Sequence, residues 1–132
     1  MNRIFVYGTL LVPAVMEAVT GKNFTFEPAT LPGYARSRIR GQIFPGITRD
    51  ENQDVKGINY LDVDEKSLRR LDAFESDVYS RERVTVLLED DRRVHAFTYI
   101  ITTEHEGLLT GQDWDLERFK QDHLHAYLKR VI

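Results

Sequence analysis

The sequence predicts an α+β domain: a mixed or antiparallel sheet, closing as a small β-barrel, with helices packed outside it. Three observations lead there. Strand-like segments outnumber helical ones. No regular alternation of strand and helix appears, as a parallel α/β sheet would need. The closing stretch "DWDLERFKQDHLHAYLKRVI" carries its apolar residues at helical spacing. No repeat, low-complexity tract or linker interrupts the 132 residues, so one domain over 1–132 is expected.

Residues 3–8 read as a buried strand, because Ile4, Phe5 and Val6 are continuous apolar residues. Pro13 suits the first turn of a short helix, where its missing N–H costs nothing, and Gly21 suits the helix end. Residues 24–30 and 34–44 are strand-like and separated by "LPG". "RDENQD" (49–54) is the most polar stretch and reads as a loop; "VKGINYLD" (55–62) reads as a strand. The period then changes. Leu68, Leu71 and Phe74 lie three apart behind Asp64, a suitable N-cap, which predicts a helix over 64–74. "SRERVTVLLED" alternates, with Val84, Val86 and Leu88 on one side, and "DDRR" makes a turn. "VHAFTYIIT" is apolar on both faces, as a central strand should be. Leu116, Phe119, Leu124, Leu128 and Val131 continue at helical spacing.

Composition excludes several functions. Apolar residues make up 42% and aromatic residues 11%, enough for a packed core. The 18 basic residues are outnumbered by 21 acidic ones, and a net charge of -3 offers no general attraction to nucleic acid or anionic membrane. Without cysteine there is no disulfide, thiolate catalysis or cysteine-bound zinc. No run of about 18 apolar residues exists to span a membrane, and no signal peptide opens the chain, so the cytoplasm is the expected location. The "NFT" sequon at 23–25 then carries no meaning. "TGK" at 20–22 is not a phosphate-binding loop, since Met16 stands where its first glycine belongs and Asn23 replaces Ser/Thr.

Two features carry chemistry. In "YGTL" a strand stops at glycine and runs toward a helix that begins at Pro13. Backbone N–H groups left unpaired there, with Gly8 allowing close approach and Thr9 adding a hydroxyl, can cradle a carboxylate or phosphate; an ordinary strand-to-helix turn has the same residues. Glu75 closes the helix in "LDAFES". The negative end of the helix dipole and partial burial both favour its protonated form, which suits a proton shuttle; the plain alternative is a solvated helix-end glutamate. The histidines 95, 105, 123 and 125 are read as structural or surface residues, and His123 and His125 are spaced to face apart on a helix. Arg36, Arg38 and Arg40 alternate on one strand face, as a solvated face or as a surface for an anion.

The order of "VYGTL", "LPGY" (31–34), "FPGI" (44–47), "VKGINYLDV" (55–63), "LRRLDAFE" (68–75) and "YSRERVTV" (79–86) resembles the gamma-glutamylcyclotransferase-like proteins. Within them the chain is most similar to the branch containing the plant avirulence-induced proteins. The combination of "YGTL" with a later "LDxFE…YxR" is the specific signal, and the likeness covers nearly the whole chain. It implies a small mixed β-barrel with flanking helices. It implies that Tyr7, Gly8, Thr9 and Leu10 form the substrate-binding loop and that Glu75 is the acid/base residue, with Arg81 and Tyr99 as wall residues, Arg81 as a structural partner rather than a substrate ligand. Two positions depart from the family pattern: Ser76 follows Glu75 where glycine is common, and "FPG" replaces a tyrosine-proline pair.

The implied reaction releases a γ-glutamyl group as 5-oxoproline. The glutamyl α-amine attacks its own γ-carbonyl, so orientation supplies much of the rate, and one carboxylate can move both protons. No metal and no organic cofactor is required. The expected partner is a small-molecule γ-glutamyl substrate, with no nucleic acid and no membrane; the leaving group and oligomeric state are not encoded legibly. The main rival is a non-catalytic small-ligand or protein-binding module on the same barrel. Another amide or lactam chemistry in the same pocket is a second.

Overall fold

In the computed structural model, which describes residues 2–131, five strands close into a barrel in the order β1-β3-β2-β4-β5. β1 (Asn2–Val6) is antiparallel to β3 (Pro45–Val63) and parallel to β5 (Arg93–Ile101). β2 (Phe26–Arg38) pairs with β3 and with β4 (Tyr79–Leu88), and β4 pairs with β5, all antiparallel. The sheet is therefore mixed, and its one parallel contact closes it. Four helices flank it: α1 (Pro13–Thr20), α2 (Glu65–Glu75), α3 (Leu116–Asp122) and α4 (Leu124–Val131). Among the described residues no helix is long and apolar enough to cross a membrane.

Alternation along β1 divides the core in two. Phe5 and Tyr7 pack with Leu31, Ile47, Val55 and Val86 in one cluster, inside the barrel. Ile4 and Val6 join Leu10, Met16, Leu68 and Phe119 in the other, between barrel and helices. A strand covered on both faces needs apolar residues at consecutive positions, which is why Ile4 and Phe5 are both fully buried. Helix α2 starts as its sequence requires: the Asp64 carboxylate accepts from the Ser67 amide at 3.2 Å and hydroxyl at 2.7 Å. Those bonds also hold its pKa well below the usual carboxylate range. Helix α1 has Pro13 in its first turn and ends at Gly21 in the left-handed conformation (φ 78°).

The structure redraws the segment 24–62. The two strands expected on either side of "LPG" are one strand, β2, whose register with β3 slips at Gly33. Pro32 pairs with Asp54 but Tyr34 pairs with Arg49, so residues 50–53 have no partners opposite and bulge from the hairpin. "RDENQD" is thus a bulge within β3 rather than a loop between strands. Its polarity is tolerated because Glu51–Asp54 are exposed. Past Arg38 the chain makes only an isolated bridge, Ile39 with Leu109, before turning at Gly41. Arg36 and Arg38 share a face of β2, while Arg40 lies beyond its end. The C-terminal helical pattern is broken at His123 into α3 and α4.

Gly57 marks how tightly β1 is held. A Cβ there would collide with the Val6 carbonyl oxygen and lie 2.9 Å from the Phe5 ring. Gly57→Ala is therefore expected to destabilise the protein by about 1–3 kcal/mol or more, as overpacking does. Gly107→Ala, with open space around it, should stay within about 0.5 kcal/mol of wild type. Chemical denaturation of both variants measures the difference.

Candidate active site

A cavity of about 90 Å³ opens where β1 ends. By the same measure a water needs roughly 10–15 Å³, so the cavity holds several waters or the end of a small ligand. Its lining includes Tyr7, Gly8, Thr9 and Leu10 from the segment after β1, Glu75 and Ser76 from the end of α2, Tyr99 from β5, and Tyr79 and Tyr127. Closing the barrel is what brings residue 8 beside residue 75.

The segment after β1 is a 3-10 turn, Thr9–Leu11, rather than the start of α1 itself. Leu11 donates to the Gly8 carbonyl at 2.9 Å and Val12 to that of Thr9 at 3.1 Å. Among the described residues, the N–H groups of Gly8, Thr9 and Leu10 donate no such bond. These three amides, on residues that line the cavity, are the free donors of the site. Glycine is required at position 8 by contact: a Cβ would lie 2.9 Å from the Pro45 ring. The turn is braced from outside. Arg36 donates to the Tyr7 carbonyl at 2.9 Å and reaches both Asp113 oxygens at 2.8 and 3.2 Å. Arg36 is therefore neither a solvated charge nor an empty anion site.

Four tyrosines surround Glu75, and each spends its hydroxyl elsewhere. Tyr7 donates to the Tyr99 carbonyl, Tyr79 to the Pro45 carbonyl at 2.6 Å, and Tyr99 to the Asp72 carboxylate at 2.7 Å. The Tyr127 hydroxyl lies 3.3 Å from that of Thr9. Glu75 is left facing the cavity with no hydrogen-bond partner among the described residues. A carboxyl largely withdrawn from bulk solvent and without donors holds its proton more tightly. Burial pushes the Glu75 pKa up from 4.5 to about 8. The tyrosines are raised in turn, first by their own burial, with the Glu75 charge a smaller contribution that follows Asp72 at Tyr99 and Tyr7 at Tyr79.

Tyr7–Leu10, Glu75 and Tyr99 thus meet at one cavity, and Arg81 does not. Arg81, expected near the wall as a structural partner, lies off this lining. Its side chain projects from β4 toward α2, where its Nε lies 3.1 Å from Asp72, and its guanidinium stacks 4.7 Å from the Phe97 ring centre. Sequence reasoning missed Phe74, Tyr79, Phe44 and Pro45 as lining residues, although all four stand inside quoted motifs. It also missed Tyr127, although the stretch "DWDLERFKQDHLHAY" ends on it; Phe74 and Phe119 orient its ring edge to face at 6.2 and 5.3 Å. The histidines stay apart: His95 is exposed on β5, and His105 lies beside Thr102 at 2.7 Å.

Ser76 carries strain at the point where Glu75 is aimed. Its backbone sits at φ 60°, ψ -164°, a region essentially reserved for glycine. The conformation costs of order 1–3 kcal/mol, against about 0.5–1 kcal/mol for the extra freedom of an unfolded glycine. Ser76→Gly is therefore expected to raise stability by about 1 kcal/mol net, measured by thermal or chemical unfolding.

The model of the family described as gamma-glutamyl cyclotransferase, AIG2-like matches residues 4–116. AIG2-like protein D of Arabidopsis thaliana is 34% identical over 98% of this chain and 86% of its own. A solution structure of another Arabidopsis thaliana protein superposes with a TM-score of 0.77 at 28% identity, covering 98% of this chain and 87% of that one. A structure titled gamma-glutamyl cyclotransferase superposes with a TM-score of 0.65 at 14% identity over 98% and 85%, a likeness of fold alone. With its family model, fold and curated relatives in agreement, the chain belongs to the gamma-glutamyl cyclotransferase, AIG2-like family.

Proposed function

We propose that this protein is a γ-glutamyl cyclotransferase-type enzyme that converts a γ-glutamyl amide into 5-oxoproline and a free amine or amino acid. The observation that carries the reading is the pairing of one isolated carboxyl, Glu75, with the free amides of Gly8–Leu10 across a single small cavity. Family membership supports the same reaction class.

In this reading the amides of Gly8, Thr9 and Leu10 hold the substrate α-carboxylate or the developing oxyanion. That holds the glutamyl group folded, with its α-nitrogen facing its γ-carbonyl carbon. Glu75 takes a proton from the α-nitrogen as the new N–C bond forms. It returns that proton to the departing nitrogen as the old C–N bond breaks. Atoms and charge balance without an outside reactant. A carboxyl titrating near 8 is a much stronger base than an ordinary glutamate, yet releases its proton readily enough to serve as the acid. Tyr99 is a wall of the site, and Tyr79 and Tyr127 complete the enclosure.

Glu75→Gln keeps the shape and removes the exchangeable proton. Turnover of a γ-glutamyl substrate, read as released 5-oxoproline, should fall by at least about 10²-fold. Equal rates in variant and wild type would end the mechanism. Absence of turnover in wild type, with ligand affinity equal in both proteins, would favour the binding module instead.

A second measurement needs no substrate. Because the folded-state pKa of Glu75 is raised from 4.5 to about 8, the folded protein holds its proton where the unfolded chain has lost it. The stabilising contribution of that proton is complete below about 4.5 and disappears as pH rises through about 8. The stability of wild type relative to Glu75→Gln should therefore decline from pH 5 to pH 8, the range over which Glu75 titrates, and a flat difference across it would contradict the buried site.

A further inference from the structure

We propose that Asp72 and Arg81 are positioning residues that clamp the end of helix α2 to the barrel wall and so hold Glu75 in the cavity. The importance of the clamp for catalysis rests on the reading of Glu75 given above; the clamp itself rests on geometry. Both residues belong to "LDAFESDVYSR", and neither lines the cavity.

Asp72 is placed against its own helix. The last turn of α2 carries Asp72 and Glu75 and no basic residue, so two carboxyl groups lie at the negative end of the helix dipole. Only one of them is compensated. The Asp72 carboxylate accepts from the Tyr99 hydroxyl at 2.7 Å and lies 3.1 Å from the Arg81 Nε. Its backbone carbonyl accepts from the Ser76 N–H. One residue thereby fastens β5, β4 and the strained Ser76 hinge to the same point. A backbone conformation such as that of Ser76 persists only where the surroundings hold it from several sides. Asp72 holds the helix side, and the Thr102 amide, bonded to the Val78 carbonyl at 3.0 Å, holds the strand side.

Arg81 is suited to its part. Its guanidinium stacks 4.7 Å from the Phe97 ring centre, so its planar head is fixed before it meets Asp72. Arg81 and Tyr99 are also register partners on β4 and β5, so both side chains leave the sheet together toward α2. Without the pair the end of α2 keeps its apolar anchors, Leu68 and Leu71, but loses its lateral fix. Glu75, with no bond of its own, is then free to turn toward water.

The groups facing Glu75 are Tyr7 from β1, Tyr79 from β4, Tyr99 from β5 and Tyr127 from α4, none of them charged at neutral pH. Charges act on these tyrosines from behind: Arg36 on Tyr7, Arg130 on Tyr127, and the clamp on Tyr99; Asp77, two residues on from Glu75, is exposed.

The test is the double variant Asp72→Asn with Arg81→Gln, which removes the clamp and leaves net charge unchanged. The readout is the carboxyl titration of Glu75 by ¹³C NMR, assigned with Glu75→Gln. A released Glu75 should titrate at least about one pH unit lower than in wild type, toward the ordinary carboxylate range. An unchanged titration would overturn the proposal. Should the double variant not fold, Arg81→Met keeps the stem over Phe97 and removes one positive charge. Loss of that charge alone raises the Glu75 titration, whereas release to water lowers it, so a rise overturns the clamp. On any γ-glutamyl substrate that wild type turns over, the double variant should lose about tenfold or more in kcat with little change in KM. If wild type turns over none, the cyclotransferase reading fails while the titration still decides the clamp.

Discussion

Strand β1 is the piece on which the rest depends. Its pairing with β3 on one side and β5 on the other turns an open sheet into a barrel. The fit is close enough that Gly57 has no room for a methyl group against Val6 and Phe5. Closure does more than bury apolar surface. It fixes where the chain leaves the sheet, and the 3-10 turn Thr9–Leu11 forms at that exit, between the barrel mouth and the helices. Gly8 against Pro45 and Arg36 on the Tyr7 carbonyl then hold the exit from either side.

The site works by withholding partners. A glutamate enclosed by four phenols would ordinarily be an easy group to satisfy. Here the hydroxyls of Tyr7, Tyr79 and Tyr99 are bonded to the carbonyls of Tyr99 and Pro45 and to Asp72, while that of Tyr127 rests beside Thr9. Glu75 retains burial without compensation, which raises its proton affinity and lowers the stability of its charged form. Strain at Ser76 adds to that cost at the adjacent residue. Both features weaken the fold locally and both point the same carboxyl at the same cavity, the pattern expected where structure is set by chemistry rather than by stability.

Much of this was legible in the chain. The apolar run at Ile4–Val6, the Asp64 cap, the three-residue spacing of Leu68 and Leu71, and Gly21 after α1 are local signals, and the structure follows them. Local reading failed where pairing across the sheet overrode composition. "RDENQD" is polar enough for a loop, yet β2 holds its flanks in register and leaves only 50–53 unpaired. Arg36 alternates with Arg38 as a surface residue would, but a carbonyl and a carboxylate from distant segments claim it. Arg81 stood in the motif with Glu75, but which group it partners, Asp72, is set only by the packing of β4 against α2.

By itself the sequence determined the types and order of the elements outside 24–62, the absence of thiol chemistry, and the two motifs whose residues now meet. These follow from periodicity, caps and residue chemistry, all properties of neighbours in the chain. The tertiary structure decided which side of each strand faces the cavity, that Tyr127 from α4 forms one of its walls, and that Glu75 has no donor within reach. A proton affinity such as that of Glu75 depends on what surrounds the group in space. Its environment is contributed by β1, β4, β5 and α4, and no stretch of sequence contains it.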